Sequence, residues 1–174
     1  MEGLKLILDK LSGYNFLTNI LPGTVLCILL KYIVGYDLIV SGDWYISGII
    51  FYFVGMTNNR FGSVVIEEIA KKTGFVCFSN YKDYIKAEEK DDKIKTISTD
   101  NNVYRSYVSV LLLTLLAYVY KFSSSHLDFL EIYKVPIILC LLLLLFAASY
   151  RKQSLYVNKR VDCQKGQSYE KFKM

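Results

Sequence analysis

The sequence has few of the residues that catalysis commonly uses. It contains a single histidine, His126, and no cysteine or carboxylate stands near it at a spacing typical of metal ligands. There is no glycine-rich phosphate-binding loop, and no pair of carboxylates lies within an apolar segment. The four cysteines are far apart and two of them fall in apolar segments, which argues against a disulfide framework. We therefore predict that the protein is not an enzyme and binds no cofactor or metal ion.

Charge is also scarce over long parts of the chain. The hydrophobic content of 53% and the mean hydropathy of +0.28 exceed what a soluble domain of this length needs. Crossing a bilayer takes roughly 20 mainly apolar residues, and four stretches come close to that length. They cover residues 16–35, 44–62, 107–122 and 132–150. The sequence predicts an all-α integral membrane protein with four transmembrane helices.

The distribution of lysine and arginine predicts the orientation. Residues 57–105 contain nine of these basic residues and the tail from Arg151 contains seven, whereas residues 36–44 contain none. Basic loops stay on the cytoplasmic side of a membrane. We expect both termini and the long central segment to be cytoplasmic, and we expect no cleaved signal peptide.

We divide the chain into five segments. Residues 1–13 are predicted to form an amphipathic helix at the inner membrane surface, and a helix that caps a bundle inside an oligomer is an equal alternative. The other segments are a transmembrane hairpin whose second helix extends into the cytoplasm (14–72), a helical cytoplasmic insertion (73–102), a second transmembrane hairpin (103–150) and a basic cytoplasmic tail (151–174).

Polar residues predict where the later helices begin. Asn80, followed by Asp83, resembles a helix cap with its reciprocal partner, so a short helix is expected to follow Asn80. Residues 98–102 are all cap-forming types and are predicted to precede the third span. The tail is expected to be poorly ordered in its last residues.

Three glycines of the second span suggest assembly. Gly48, Gly55 and Gly62 recur at seven-residue spacing, which puts them on one helix face that another helix can approach closely. A pore wall is the alternative, and the two interpretations merge if the helix packs against its own copy. Since one copy has too few helices to enclose a pore, we predict a homo-oligomer in the lipid bilayer, with a tetramer favoured.

A polar group marks the predicted inner mouth of the membrane region. Asn58, Asn59 and Arg60 directly follow an apolar run, and the next span opens with a similar set, Asn101, Asn102 and Arg105. In an oligomer these side chains could form a ring that gates ions or binds an anionic ligand. The alternative is that both arginines only mark the membrane edge and contact lipid phosphates. If they bind a ligand, the loss on Arg60→Lys is expected to exceed that on Arg105→Lys.

The segment after the second span mixes cations with aromatic rings. This combination holds nucleotides or single-stranded nucleic acid by charge and by stacking. Acidic residues at 88–92 dilute the pattern, and tyrosines in a short helix commonly pack against their neighbours instead. The candidate ligand-binding residues are Lys71, Lys72, Tyr81, Lys82, Tyr84 and Lys86.

Several short motifs together resemble a known family. They are LPG at 21–23, NRFGS at 59–63, VIE at 65–67, YKDY at 81–84, NN at 101–102 and YR at 104–105. With these motifs the chain resembles small four-span membrane effectors of bacterial anti-phage defence systems, in particular the HalB-type effector of the Hailong system.

The resemblance implies a function. It implies an oligomeric channel in the bacterial inner membrane that is controlled by a nucleotide or single-stranded DNA oligomer from a partner nucleotidyltransferase. It also implies that Arg60, Lys71, Lys72 and Arg105 contact that oligomer. The alternative function is a non-conducting membrane scaffold that anchors a cytoplasmic partner protein.

Overall fold

The computed structural model describes the backbone of residues 13–171 and the side chains of residues 13–163. The structure is 84% helical, and the described residues include no strand. The predicted all-α fold class is therefore confirmed. The amphipathic helix expected at residues 1–13 lies outside the described residues, apart from Gly13.

The helices are labelled here in chain order. They are α1 (Gly13–Val34), α2 (44–72), α3 (Tyr81–Glu88), α4 (Asp92–Ser124), α5 (Asp128–Ile132) and α6 (Lys134–Lys171).

Three helical segments are long and apolar enough to cross a membrane. They are Gly13–Val34, Asp92–Ser124 and Lys134–Cys163, and they cover most of the first and fourth predicted spans and all of the third. The second predicted span, in Trp44–Phe61, is also helical, but it does not reach the same hydropathy. The polar residues 57–60 at one end of this helix account for the difference.

Helices α1 and α2 form an antiparallel hairpin with close backbone contact. A Cβ atom added to Gly23 would lie 2.0 Å from the carbonyl oxygen of Phe51, and one added to Gly55 would lie 1.8 Å from that of Asn19. No side chain fits at either distance, so glycine is required at both positions. Asp43 caps the start of α2 by accepting hydrogen bonds from two backbone amides, at 3.0 and 3.1 Å.

Short π-helical turns interrupt the first two helices. Phe16–Ile20 directly precedes the Pro22 region, and Leu30–Val34 ends α1. The third π turn, Gly62–Ile66, joins the apolar part of α2 to its charged end, Glu67–Lys72. Such turns insert an extra residue into a helix and change the direction in which the following side chains point.

Helix α4 begins earlier than the sequence predicts. Asp91 caps it by accepting a hydrogen bond from the Lys93 amide at 2.9 Å, and the helix runs without a break through residues 98–102. The prediction that residues 98–102 form a cap was therefore wrong. No glycine or proline interrupts residues 92–124. The Thr99 hydroxyl donates to the Lys95 carbonyl one turn earlier, at 3.0 Å, so Thr99 fits within the helix instead of capping it. The expected cap of α3 is present, because the Asn80 side chain accepts from the Lys82 amide at 3.2 Å.

Helix α6 lies at the edge of the bundle. Its contact with α2 includes the stacked rings of Phe53 and Phe146, whose centroids are 6.1 Å apart. Leu141, Leu143 and Leu144 are more than half exposed. The helix continues to Lys171, so most of the basic tail is helical and extends along the charged end of the bundle.

Candidate ligand site at the charged end of the bundle

The centre of the charged end is the carboxylate of Glu67, which is only 7% exposed. Three cations from three different helices contact it. The Lys71 Nζ atom lies 2.6 Å from Oε1, the Arg105 Nη1 atom 2.5 Å from Oε2, and the Lys152 Nζ atom 3.2 Å from Oε1. Glu67 therefore joins α2 to both α4 and α6.

Lys152 fastens α6 to α2 at this point. Besides Glu67, its ammonium group donates to the backbone carbonyl of Ser63 at 2.5 Å and to Glu68 at 3.1 Å. An ammonium group has three N–H donors, so these contacts use all of them. The Ser63 carbonyl belongs to the π turn, which places α6 against the irregular part of α2.

Arg105 continues the network toward α1. Its Nη2 atom donates to the Asn59 side chain at 3.3 Å, and Asn59 in turn donates to the Asn19 side chain at 3.0 Å. The Nε atom of Arg105 is buried and has no hydrogen-bond partner among the described residues. One row of polar contacts thus connects α4, α2 and α1.

The surrounding charges determine the ionisation of the two glutamates. Burial alone would raise the pKa of Glu67, but the Lys71 hydrogen bond and the charges of Lys152 and Arg105 outweigh it and hold this pKa below its usual value. For Glu68, the hydrogen bond from Lys152 is the main cause of a lowered pKa. Both side chains are carboxylates at neutral pH.

Asn58 serves the packing of α2 on α4. Its side-chain amide donates to the Ser106 carbonyl at 3.1 Å, and the Ser109 hydroxyl donates to the Asn58 carbonyl at 2.9 Å. All three residues are fully buried. The position of Asn58 between two helices leaves it no access to a ligand.

A cavity of about 1060 Å³ lies beside the Glu67 network, between α2, α3, α4 and α6. Small-molecule pockets commonly measure about 300–1,000 Å³, so this cavity is large enough for a nucleotide. The charged, amide and aromatic residues of its wall are Glu67, Lys71, Phe78, Tyr81, Tyr84, Asp100, Asn101, Asn102, Tyr104, Arg105, Tyr156 and Lys159.

Aromatic rings and cations are paired on the cavity wall. The rings of Tyr81 and Tyr156 lie 5.8 Å apart, and Lys159 lies 5.9 Å from the centre of the Tyr156 ring. Lys71, also on the wall, lies 4.8 Å from the centre of the Phe78 ring. Flat rings next to cations suit a ligand that has both a planar group and a negative charge.

Half of the candidate ligand residues lie on the cavity wall. Lys71, Tyr81, Tyr84, Asn101, Asn102 and Arg105 line it. Asn58 and Asn59 instead join helices, and the half-buried Arg60 side chain makes no hydrogen bond or ion pair within residues 13–163. Lys72, Lys82 and Lys86 are exposed and lie outside the cavity wall.

The three glycines of the second span have different surroundings. Gly55 packs against α1, and Gly62 lies within ordinary contact distance of Arg105 and Ser109, 3.5 Å from each. Gly48 has no heavy atom near the place where a Cβ would lie. Two of the three positions are therefore occupied by contacts within one chain, and Gly48 alone faces open space.

Sequence reasoning missed Glu67 as the centre of the site, together with the whole contribution of α6. Lys152, Tyr156 and Lys159 follow one another at spacings of four and three residues, which places them on one face of a helix. That spacing was a usable signal, but residues 151–174 were interpreted only as a basic cytoplasmic tail. For Glu67, the signal was a lysine four residues later.

Within the described part of the chain, no group of three or more histidine, cysteine or acidic side chains could hold a metal ion. No family model, curated protein or solved structure matches this chain.

Proposed function

We propose that the protein is the membrane effector of a bacterial anti-phage defence system. It forms an oligomeric channel in the inner membrane, and an anionic nucleotide or single-stranded DNA oligomer bound in the cavity gates this channel. The observation that carries the proposal is the construction of the cavity. Its wall is formed by the charged ends of α2, α4 and α6, and each of these helices continues into an apolar part.

The chemistry of the wall supports a nucleic acid or nucleotide as the ligand. Lys71, Arg105 and Lys159 can contact phosphate groups, and the rings of Tyr81 and Tyr156 can stack on bases. Stacking tolerates any base, so a site of this kind recognises the polymer class more than a sequence. Two acidic residues, Glu67 and Asp100, limit how much of the wall an anion can use.

Helix α2 is proposed to be the fourth span in spite of its polar end. The side-chain NH₂ groups of Asn58 and Asn59 donate to Ser106 and Asn19, so both side chains have partners on neighbouring helices. Helices inside a bundle tolerate polar side chains that have partners on neighbouring helices. The charged ends and both termini are proposed to be cytoplasmic.

The same architecture supports the proposed oligomer. The helices of one chain pack on each other through small and polar residues, while α6 keeps a broad apolar surface. A conducting path therefore has to be enclosed by several copies, and a tetramer is favoured. A purified particle with the mass of one chain would contradict this part of the proposal.

Binding to an oligothymidylate tests the ligand. The wild type is expected to bind a fluorescent oligothymidylate, and the double substitution Tyr156→Ala with Lys159→Ala should weaken binding by about tenfold or more, since one stacked base is worth about 1–3 kcal/mol. Lys86→Ala is the matched control, because this lysine is exposed outside the cavity. Equal affinities of wild type and double variant would reject the cavity as the ligand site.

Expression of the protein alone separates a channel from a scaffold. An ungated channel is expected to slow growth and reduce the membrane potential of the host cell. A non-conducting scaffold that anchors a partner protein should leave the potential unchanged.

A further inference from the structure

The strongest cationic site on the cavity wall is already occupied by a carboxylate of the same chain. Glu67 and two of its cations, Lys71 and Arg105, all line the cavity. The Glu67 carboxylate contacts these two cations at 2.6 and 2.5 Å, so it already accepts from N–H donors that a phosphate group on the cavity wall would use. The ligand and Glu67 would therefore compete for these donors.

We propose that Glu67 is a displaceable internal anion, which holds the phosphate position in the ligand-free protein and is released when a ligand phosphate takes its place. The proposal rests on the proposed function, since it describes how that ligand acts. It assigns to Glu67 the regulation of the site.

The donors favour such an exchange. A carboxylate usually binds arginine through two parallel hydrogen bonds, but Glu67 contacts only the Nη1 atom of Arg105. The Nε atom is unpaired within the described residues, and Nη2 makes a longer bond of 3.3 Å to Asn59. A phosphate group has more acceptor oxygens than a carboxylate and can accept from both the Nη1 and the Nη2 atoms of Arg105. The ligand can thus gain a contact that Glu67 does not make.

The π turn gives a released Glu67 a way to move. Glu67 is the first residue after the π turn Gly62–Ile66. If this turn relaxes to a regular α-helix, the following residues rotate by about 100° and shift by about 1.5 Å along the axis. The apolar part of α2 is held separately, because Asn58 is bonded to α4. Displacement of Glu67 can therefore twist the two parts of α2 against each other, at the border of the apolar region.

A purely structural role and a competing role for Glu67 predict opposite changes in ligand affinity when its charge is removed. If its carboxylate only fixes Arg105, Lys71 and Lys152 in place, then removing its charge disorders the cations and weakens ligand binding. If Glu67 competes with the ligand, removing its charge frees the cations and strengthens binding. The sign of one affinity change separates the two roles.

The first test is a titration of full-length protein with the fluorescent oligothymidylate, comparing the wild type with Glu67→Gln. We expect the variant to bind about tenfold more tightly, because one charge-assisted contact no longer has to be broken. Glu68→Gln is the control, since Glu68 also contacts Lys152 but does not line the cavity, and its affinity should stay within about threefold of wild type. Equal or weaker binding by Glu67→Gln would overturn the proposal.

The second test uses the wild type and so does not depend on the folding of a variant. Carbodiimide couples carboxylates to amines that are in contact, and the Glu67–Lys152 pair at 3.2 Å is a substrate for this reaction. Saturating oligothymidylate should strongly reduce the Glu67–Lys152 cross-link. The distant Glu131–Lys134 pair, at 2.6 Å, should react unchanged and is the internal control.

The two failures can be told apart. A Glu67–Lys152 cross-link that persists at ligand saturation would overturn the internal anion and leave the proposed function standing. Absence of oligothymidylate binding by folded wild type and by Glu67→Gln would overturn the proposed function, and the internal anion with it.

Discussion

At the scale of single residues, the structure reverses the predicted ranking of Arg60 and Arg105 as ligand-binding residues. The sequence favours Arg60, because it lies on the helix that continues past the apolar region. The structure instead gives Arg105 two partners and a place on the cavity wall, while Arg60 has no hydrogen bond or ion pair within the described residues. The difference arises from the direction of the side chains, which depends on the packing of α2 against three other helices.

Replacing each arginine by lysine tests this assignment. Lysine keeps the charge but cannot donate to Glu67 and Asn59 from one planar group. We expect Arg105→Lys to weaken oligothymidylate binding by about ten- to a hundredfold, the equivalent of about 1.5–3 kcal/mol, and Arg60→Lys to change it little. A larger loss at Arg60 than at Arg105 would restore the ranking that the sequence suggests.

The ionisation of Glu67 predicts how stability depends on pH. Because the pKa of Glu67 is lowered in the folded protein, its contribution to stability is complete above the ordinary pKa of glutamate and is lost as the pH falls through the lowered value. The melting temperature should be steady between about pH 6 and 8 and fall below about pH 4.

Thermal unfolding of the wild type and of Glu67→Gln across this pH range is the measurement. Glu68 contributes with the same sign, because its pKa is also lowered. The melting temperature of the variant should fall less at acid pH than that of the wild type. An identical acid dependence of both proteins would show that the Glu67 ion pairs add no stability.

At the scale of secondary structure, the helices were predictable but their ends and contacts were less so. All four predicted apolar segments lie in helices, although only three helices are apolar enough to cross a membrane, and the Asn80 cap correctly predicts the start of α3. The start of α4 was missed because residues 98–102 are cap-forming types, whereas the cap is provided by Asp91. The helical tail was missed because its charge pattern fits an exposed end as well as a cavity wall. Which residue caps α4, and whether the tail is exposed or lines a cavity, depends on how the neighbouring helices pack.

The two faces of α2 respond differently to larger side chains. Gly55→Leu should destabilise the α1–α2 hairpin by about 3 kcal/mol or more, since a Cβ there would collide with the backbone of Asn19. Gly48→Leu is the matched control within one helix, because nothing lies near its Cβ position. We expect Gly48→Leu to leave the melting temperature of the single chain unchanged.

Size-exclusion chromatography with light scattering completes this comparison. If Gly48 lies at a contact between copies, Gly48→Leu should reduce the mass of the assembly without unfolding the chain. Normal folding of Gly55→Leu would contradict the close backbone contact between α1 and α2.

At the scale of the whole molecule, the account links a charged cavity to the apolar bundle through α2. The Glu67 network lies at one end of this helix, and the contacts of Asn58 and Gly55 lie further along it. An event in the cavity is therefore expected to reach the apolar part of α2 and the helices packed against it. The sequence could suggest this link, because the apolar and charged parts of α2 are continuous, but it could not show which side chains form it.

The orientation of the whole molecule in the membrane can be tested with reporter fusions. A reporter fused after Val40 should be exposed on the outer side of the membrane, and one fused after Lys90 on the cytoplasmic side. The opposite pattern would place the cavity on the wrong side for a cytoplasmic ligand.

The most direct test of the central claim is ion flux through the full-length protein in liposomes, with and without oligothymidylate on the side of the charged helix ends. The account predicts a flux that the wild-type protein carries and that the oligonucleotide changes, and a flux through Tyr156→Ala with Lys159→Ala that the same oligonucleotide concentration does not change. Absence of flux in both conditions, from reconstituted wild-type oligomers, would contradict the account and favour a non-conducting scaffold.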